Sequence, residues 1–131
     1  MIIGLDYFKT LTVHHKTLRP LASLIKAEGG MVYIISALSD MANRDQYEKA
    51  LEKFLKDTNF PYTNFHVVVF HKGKEAEEIP MLKLEKAQEL GVQLYIDDRA
   101  DVAELMAQFG IMGLQVKNWF PKTGLDNGDD S

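Results

Sequence analysis

Five short apolar runs, alternating with stretches of helical spacing, limit what this chain can fold into more than any other feature. The first run, residues 2–5, leads into Asp6. The second covers 31–35 and ends at Ser36, the third covers 65–70, and the fourth covers 92–96 and ends at Asp97 and Asp98. A weaker fifth run covers 111–116. Short β-branched and aromatic runs of this kind read as strands buried on both faces. Between them, Arg19-Pro20 opens a helix carrying Leu18, Leu21 and Ile25, which Gly29-Gly30 end. Ser39 or Asp40 caps a second helix with Tyr47, Ala50, Leu51, Phe54 and Leu55 on one stripe, broken at Asn59-Phe60-Pro61. Residues 71–78 form a charged loop or loose helical turn, and Pro80 starts a firmer third helix that runs to Gly91. Val102, Leu105, Met106 and Phe109 mark a fourth, stopped by Gly110. This alternation predicts a three-layer, Rossmann-like α/β fold, a parallel sheet with helices on both faces.

Size and composition narrow the function classes. The 131 residues suffice for one domain, expected over 1–121, with an acidic tail over 122–131. Asn118, Trp119, Phe120 and Pro121 are expected to fold back on the body, where the aromatic pair covers the sheet edge or forms a patch for self-association into an oligomer. A net charge of −4 argues against broad nucleic-acid binding. The absence of cysteine excludes disulfides, thiolate catalysis and zinc–thiolate sites. No basic leader precedes the first apolar run and no run reaches membrane-spanning length, so a cytoplasmic protein without a membrane partner is the expectation.

The polar residues at the strand ends carry the chemistry. In a parallel sheet these ends share one edge, and ligands bind in the crevice outside it. Asp6, Ser36, Asp97 and Asp98 therefore converge, although Asp6 alone also reads as a turn or helix cap. Three carboxylates at close range repel one another, and at least one pKa rises unless a cation intervenes. Mg²⁺ suits two carboxylates plus a substrate phosphate, because it takes hard oxygen ligands and keeps several waters. Ser36 offers a hydroxyl to a phosphate oxygen. On a helical wheel Lys83 lies near the centre of the sheet-facing side of its helix, flanked by Leu82 and Leu84. A lysine there either neutralises the acids or snorkels to water from the helix edge, with Lys86 as second choice.

An apolar strand into Asp6-x-Phe8-x-Thr10-Leu11, a second strand ending in Ser36, Lys83 on a helix and Ile96-Asp97-Asp98 after the fourth strand together resemble the haloacid dehalogenase-like (HAD) superfamily, over nearly the whole chain. The resemblance implies strand order 5-4-1-2-3 with Asp6 on the central strand. It implies a hydrolase of the phosphatase type, in which Asp6 becomes an aspartyl-phosphate, Ser36 binds the phosphoryl group and Lys83 compensates charge. Mg²⁺ would be held by Asp6, the backbone carbonyl of Phe8, Asp97 and Asp98.

Two residues depart from the superfamily pattern. Phe8 stands where its phosphatases usually carry a second Asp as general acid and base, and Lys9 replaces the small residue that follows. The enzyme is therefore expected to be slow or specialised, since general acid–base help contributes about 10²–10⁴-fold. The connections leave no room for a cap domain, so the site is open and suits a phosphorylated substrate that is large or macromolecular. His14 and His15 either supply the missing proton transfer or sit exposed on a polar turn. His66 and His71 read as structural, and Lys72 and Lys74 as a solvated charge run. A catalytically silent domain of the same fold is the alternative, and a receiver-like phosphoacceptor domain ranks last, because there the acid pair follows the first strand.

Overall fold

The computed structural model describes residues 1–119. Phe120, Pro121 and the tail over 122–131 lie outside the described residues. The chain runs β1 (Ile2–Leu5), an irregular turn (Tyr7–Leu11), α1 (Thr12–Ala27), β2 (Met31–Ser39), α2 (Arg44–Asp57), β3 (Asn64–Phe70), α3 (Glu75–Leu90), β4 (Leu94–Asp97), α4 (Ala100–Gln108) and β5 (Met112–Gln115). The five strands form one sheet in the order β3-β2-β1-β4-β5. Every pairing is parallel, which is the expected arrangement read from the opposite edge.

Alternation along the strands sorts the core into two clusters. Ile3, Leu5, Val32, Ile34 and Ile96 pack with Leu11, Ala22 and Ile25 near and on α1 and with Leu51 and Leu55 of α2. Ile35, Val68, Phe70 and Tyr95 pack on the other side with Ile79, Leu84 and Ala87 of α3 and with Val102 and Met106 of α4. Adjacent residues Ile34 and Ile35 point to opposite clusters, as period-two side chains must. Each fully buried aliphatic side chain contributes about 1.5–3 kcal/mol relative to exposure. Two glycines permit close layers. A Cβ on Gly4 would stand 2.6 Å from the Tyr95 ring, and one on Gly113 would stand 2.3 Å from the Ala103 carbonyl of α4.

Several element boundaries differ from the sequence expectation, each for a local reason. Both prolines read as helix starts lie inside helices: α1 already begins at Thr12 and α3 at Glu75. An internal proline removes one backbone bond, and packing on the sheet tolerates the loss here. His14 and His15 are therefore on α1, half-buried, not on a polar turn. The cap of α2 is Asn43, whose side chain accepts from the Gln46 N–H at 3.0 Å. Asp40 instead accepts from the Lys72 N–H at 3.1 Å, and the Ser39 hydroxyl accepts from the Met41 N–H at 3.1 Å. β2 does not end at Ser36 but runs on to Ser39, because β3 pairs with it as far as Phe70. Ala50 and Phe109 are exposed instead of lying on buried stripes. Trp119 is 82% exposed and does not cover the sheet edge.

The connections at the carboxyl edge are short: residues 40–43 lead from β2 into α2, and 71–74 lead from β3 into α3. The chain leaves β1 toward β2 and later returns to place β4 on the other side of β1, so the strand order reverses between β1 and β4. A parallel sheet opens a crevice at such a switch point. Among the described residues, no helix is long and apolar enough to cross a membrane.

Candidate functional site

Asp6 and Asp97 flank that crevice. The Asp6 N–H donates to the Ile96 carbonyl at 2.9 Å, which carries the β1–β4 pairing one step past Leu5. α3 crosses the opening and sends Lys83 inward from a face that also buries Leu84 and Ala87. The Lys83 ammonium donates to Asp6 Oδ1 at 2.7 Å and to Asp97 Oδ2 at 2.8 Å. It does not snorkel: Lys83 is 2% exposed, Asp6 5% and Asp97 0%. Its Nζ also lies 5.9 Å from the centroid of the Tyr95 ring. Lys86, the second choice, pairs with Glu89 on the helix surface.

The remaining carboxylate oxygens of this pair are satisfied locally. Thr10 donates its hydroxyl proton to Asp6 Oδ2 at 2.9 Å, and the Arg99 N–H donates to Asp97 Oδ1 at 3.0 Å. Asp98, half-buried, completes the cluster. One ligand oxygen from each of Asp6, Asp97 and Asp98 lies within 4.8 Å of the others. When all three are ionised, Lys83 sets one positive charge against three negative ones. The electrostatics respond accordingly. Burial raises Asp6 to about 6, with Lys83 opposing and the Asp97 charge adding to the rise. Burial raises Asp98 to about 8, with the charges of Asp6 and Asp97 adding. For Lys83, burial works to lower the pKa, but the carboxylates of Asp6 and Asp97 outweigh it and hold the group well above its usual value. Three hard oxygen donors at this spacing could hold a divalent cation of the Mg²⁺ type.

A cavity of about 600 Å³ opens above the cluster. By burial, the lining divides into a floor of Asp6, Lys83 and Asp97, with Ser36 at its side, and a more exposed rim of Phe8, Asp98, Glu75 and Glu77. Ser36 projects from the part of β2 that extends past β1, where it is 1% exposed, and its hydroxyl pairs with that of Tyr47 on α2. Burial raises the Tyr47 phenol above its usual pKa. The Phe8 side chain is 52% exposed. The turn that carries it is not regular helix. Phe8 is extended, and Lys9 takes the left-handed conformation at φ 64°, a geometry that costs a non-glycine residue about 1–2 kcal/mol.

The structure thus brings Asp6, Phe8, Ser36, Lys83, Asp97 and Asp98 to one cavity. It leaves the histidines out. His14 bonds Asn118, His15 packs edge-on against Phe54 at 5.5 Å, His66 packs on Tyr33, and His71 pairs with Glu78. Thr10, Tyr47 and Arg99 are partners that sequence reasoning missed. A signal existed for Tyr47, since a phenol on a buried helix stripe needs a partner for its hydroxyl.

No family model and no curated protein matches the sequence. Among solved structures the fold is similar to a chain of the Pnkp1/Rnl/Hen1 complex, with TM-score 0.68 and 16% identity over 88% of this chain and 45% of that one. A chain of the Pnkp1/Rnl/Hen1 RNA repair complex gives TM-score 0.66 and 17% identity over 88% of this chain and 42% of that one. A protein from the universal stress protein family of Burkholderia pseudomallei gives TM-score 0.58 and 14% identity over 89% and 96%. The chain spans less than half the length of the first two. These likenesses establish the class of fold, a Rossmann-like parallel α/β sandwich.

Proposed function

We propose that this chain is a capless, Mg²⁺-dependent phosphoryl hydrolase similar to the HAD superfamily, with Asp6 as nucleophile. The observation that carries the reading is the ion cluster of Asp6, Lys83 and Asp97, buried yet lining an open cavity, with Asp98 beside it. A buried charge cluster is an expensive way to stabilise a fold, because apolar residues of similar volume do as well or better. Placed at the sheet's switch point, it is a preorganised electrostatic site.

In the first step an Asp6 carboxylate oxygen forms a bond to phosphorus, and the bond from phosphorus to the leaving oxygen breaks with its electron pair. In the second, water attacks the aspartyl-phosphate, releasing inorganic phosphate, regenerating the Asp6 carboxylate and giving its proton to solvent. Lys83 holds Asp6 and Asp97 in register throughout, and Ser36 donates its hydroxyl to a phosphoryl oxygen. Asp6, Asp97, Asp98 and the Phe8 carbonyl would hold Mg²⁺, which supplies neutralisation of phosphoryl charge. Phe8 has no proton to give, so substrates with good leaving groups react first. The open cavity admits a large or macromolecular phosphorylated substrate.

Hydrolysis of an aryl phosphate panel with Mg²⁺ tests the reading. Wild type is expected to turn over the most acidic leaving groups, Asp6→Asn to abolish turnover, and Phe8→Asp to extend activity to alkyl esters by about 10²-fold or more. The side chain of Phe8 favours a second reading, a silent domain that binds a partner or phosphorylated ligand. Mg²⁺ binding without turnover of any ester selects it.

A further inference from the structure

We infer that Asn118 is a positioning residue for the cation site, acting through the Phe8–Lys9 turn. Past β5 the Val116 N–H donates to the Asp97 carbonyl at 2.8 Å, and the Val116 side chain packs against the α1/α2 core cluster. Two residues on, Asn118 reaches the turn that follows Asp6. Its amide nitrogen donates to the Lys9 carbonyl at 2.6 Å, while its side-chain oxygen pairs with His14 Nε2 on α1. The segment 116–118 therefore ties the backbone of Asp97 to the turn that follows Asp6.

That turn needs holding. Lys9 sits at φ 64°, ψ −2°, where an L side chain crowds its own backbone. The Thr12 hydroxyl accepts from the Lys9 N–H at 3.0 Å on one side, and Asn118 binds the Lys9 carbonyl on the other. Lys9 lies between Phe8 and Thr10, whose hydroxyl donates to Asp6 at 2.9 Å. Letting Lys9 relax to negative φ swings both neighbours. Groups that orient metal ligands without touching the metal typically change affinity by about 10–100-fold when lost.

The inference rests on reading this cavity as a cation site, so its test uses the full chain with two readouts: Mg²⁺ affinity by calorimetry, and amide exchange at Lys9 and Thr10. Asn118→Ala is expected to weaken Mg²⁺ binding about tenfold and to speed exchange at those two amides. Adding Lys9→Gly to that variant is expected to restore most of the affinity, since glycine adopts the left-handed geometry unaided. Unchanged affinity and exchange in Asn118→Ala overturn the inference. So does a loss that Lys9→Gly fails to restore, because that marks general destabilisation. If wild type binds Mg²⁺ but hydrolyses nothing, the hydrolase reading fails and the affinity readout still decides this one. If wild type binds no divalent cation, the positioning role toward a cation is overturned together with the cation site.

Discussion

The floor and the rim of the cavity are built on opposite terms. On the floor, Asp6, Lys83 and Asp97 are almost sealed from water, and both oxygens of each carboxylate accept a hydrogen bond. On the rim, Phe8 is half-exposed, Asp98 is half-buried and Glu77 is open to solvent. The floor is committed to one geometry at a cost in desolvation, whereas the rim is free to meet different ligands. Under the proposed hydrolase reading, charge held in fixed positions would suit a phosphoryl group, and a more exposed, partly apolar rim would suit a variable leaving group. Fold stability and chemistry should thus be coupled on the floor and separable at the rim.

The largest expected effect breaks the floor. Lys83→Met leaves two buried carboxylates facing each other and should cost about 3–5 kcal/mol in urea denaturation, with turnover lost. The double variant Lys83→Met/Asp6→Asn should recover part of that stability by removing one orphaned charge. A Lys83→Met protein of wild-type stability would mean that the triad is not the buried ion cluster described here.

A smaller effect sharpens the difference between Asp98 and the rest. Asp98 has a folded pKa of about 8 against an ordinary 3.8, so the folded state binds a proton that the unfolded chain has released. The stability this confers is complete below the ordinary value and is lost as pH rises through about 8. Asp6 acts in the same direction but its window closes near 6. His66, lowered by burial, opposes both only up to its usual 6.5. Between pH 6.5 and 8 the cation-free protein should therefore lose stability as pH rises, measured as a falling Tm. Saturating Mg²⁺ should flatten that slope. A Tm that rises over this interval contradicts the arrangement.

How far the sequence disclosed this depended on what each residue answers to. Asp6, Asp97 and Asp98 were legible because strand ends can be read from apolar runs, and Lys83 because its helix repeats with a fixed period. The helix starts at Thr12 and Glu75 were not, because Pro20 and Pro80 mimic first-turn prolines and only sheet packing reveals that they lie further in. Ser36 was placed at a strand end although β2 continues, since strand length is set by the partner β3. Thr10 and Asn118 were hidden for another reason. Their roles are contacts across a turn and across the sheet, which no periodicity encodes.

The smallest predicted effect tests the side of the cavity. Either hydroxyl of the Ser36–Tyr47 pair can donate; with Tyr47 donating, the Ser36 proton is left for a phosphoryl oxygen. Tyr47→Phe should raise KM for an aryl phosphate by about fivefold, the worth of about one hydrogen bond, with kcat nearly unchanged. In a Ser36→Ala background the same change should add nothing. Independent, additive losses would separate the two hydroxyls.

Covalent chemistry at Asp6, as proposed, would leave a phosphoryl group that can be trapped on the enzyme. Wild type is mixed with a labelled, activated phosphate ester and Mg²⁺, quenched in acid during turnover, and mapped by peptide. Phosphorylation of Asp6 should leave an acid-stable, alkali-labile label on the peptide that contains it, absent in Asp6→Asn. A label on any other residue, or sustained turnover in Asp6→Asn, would contradict it.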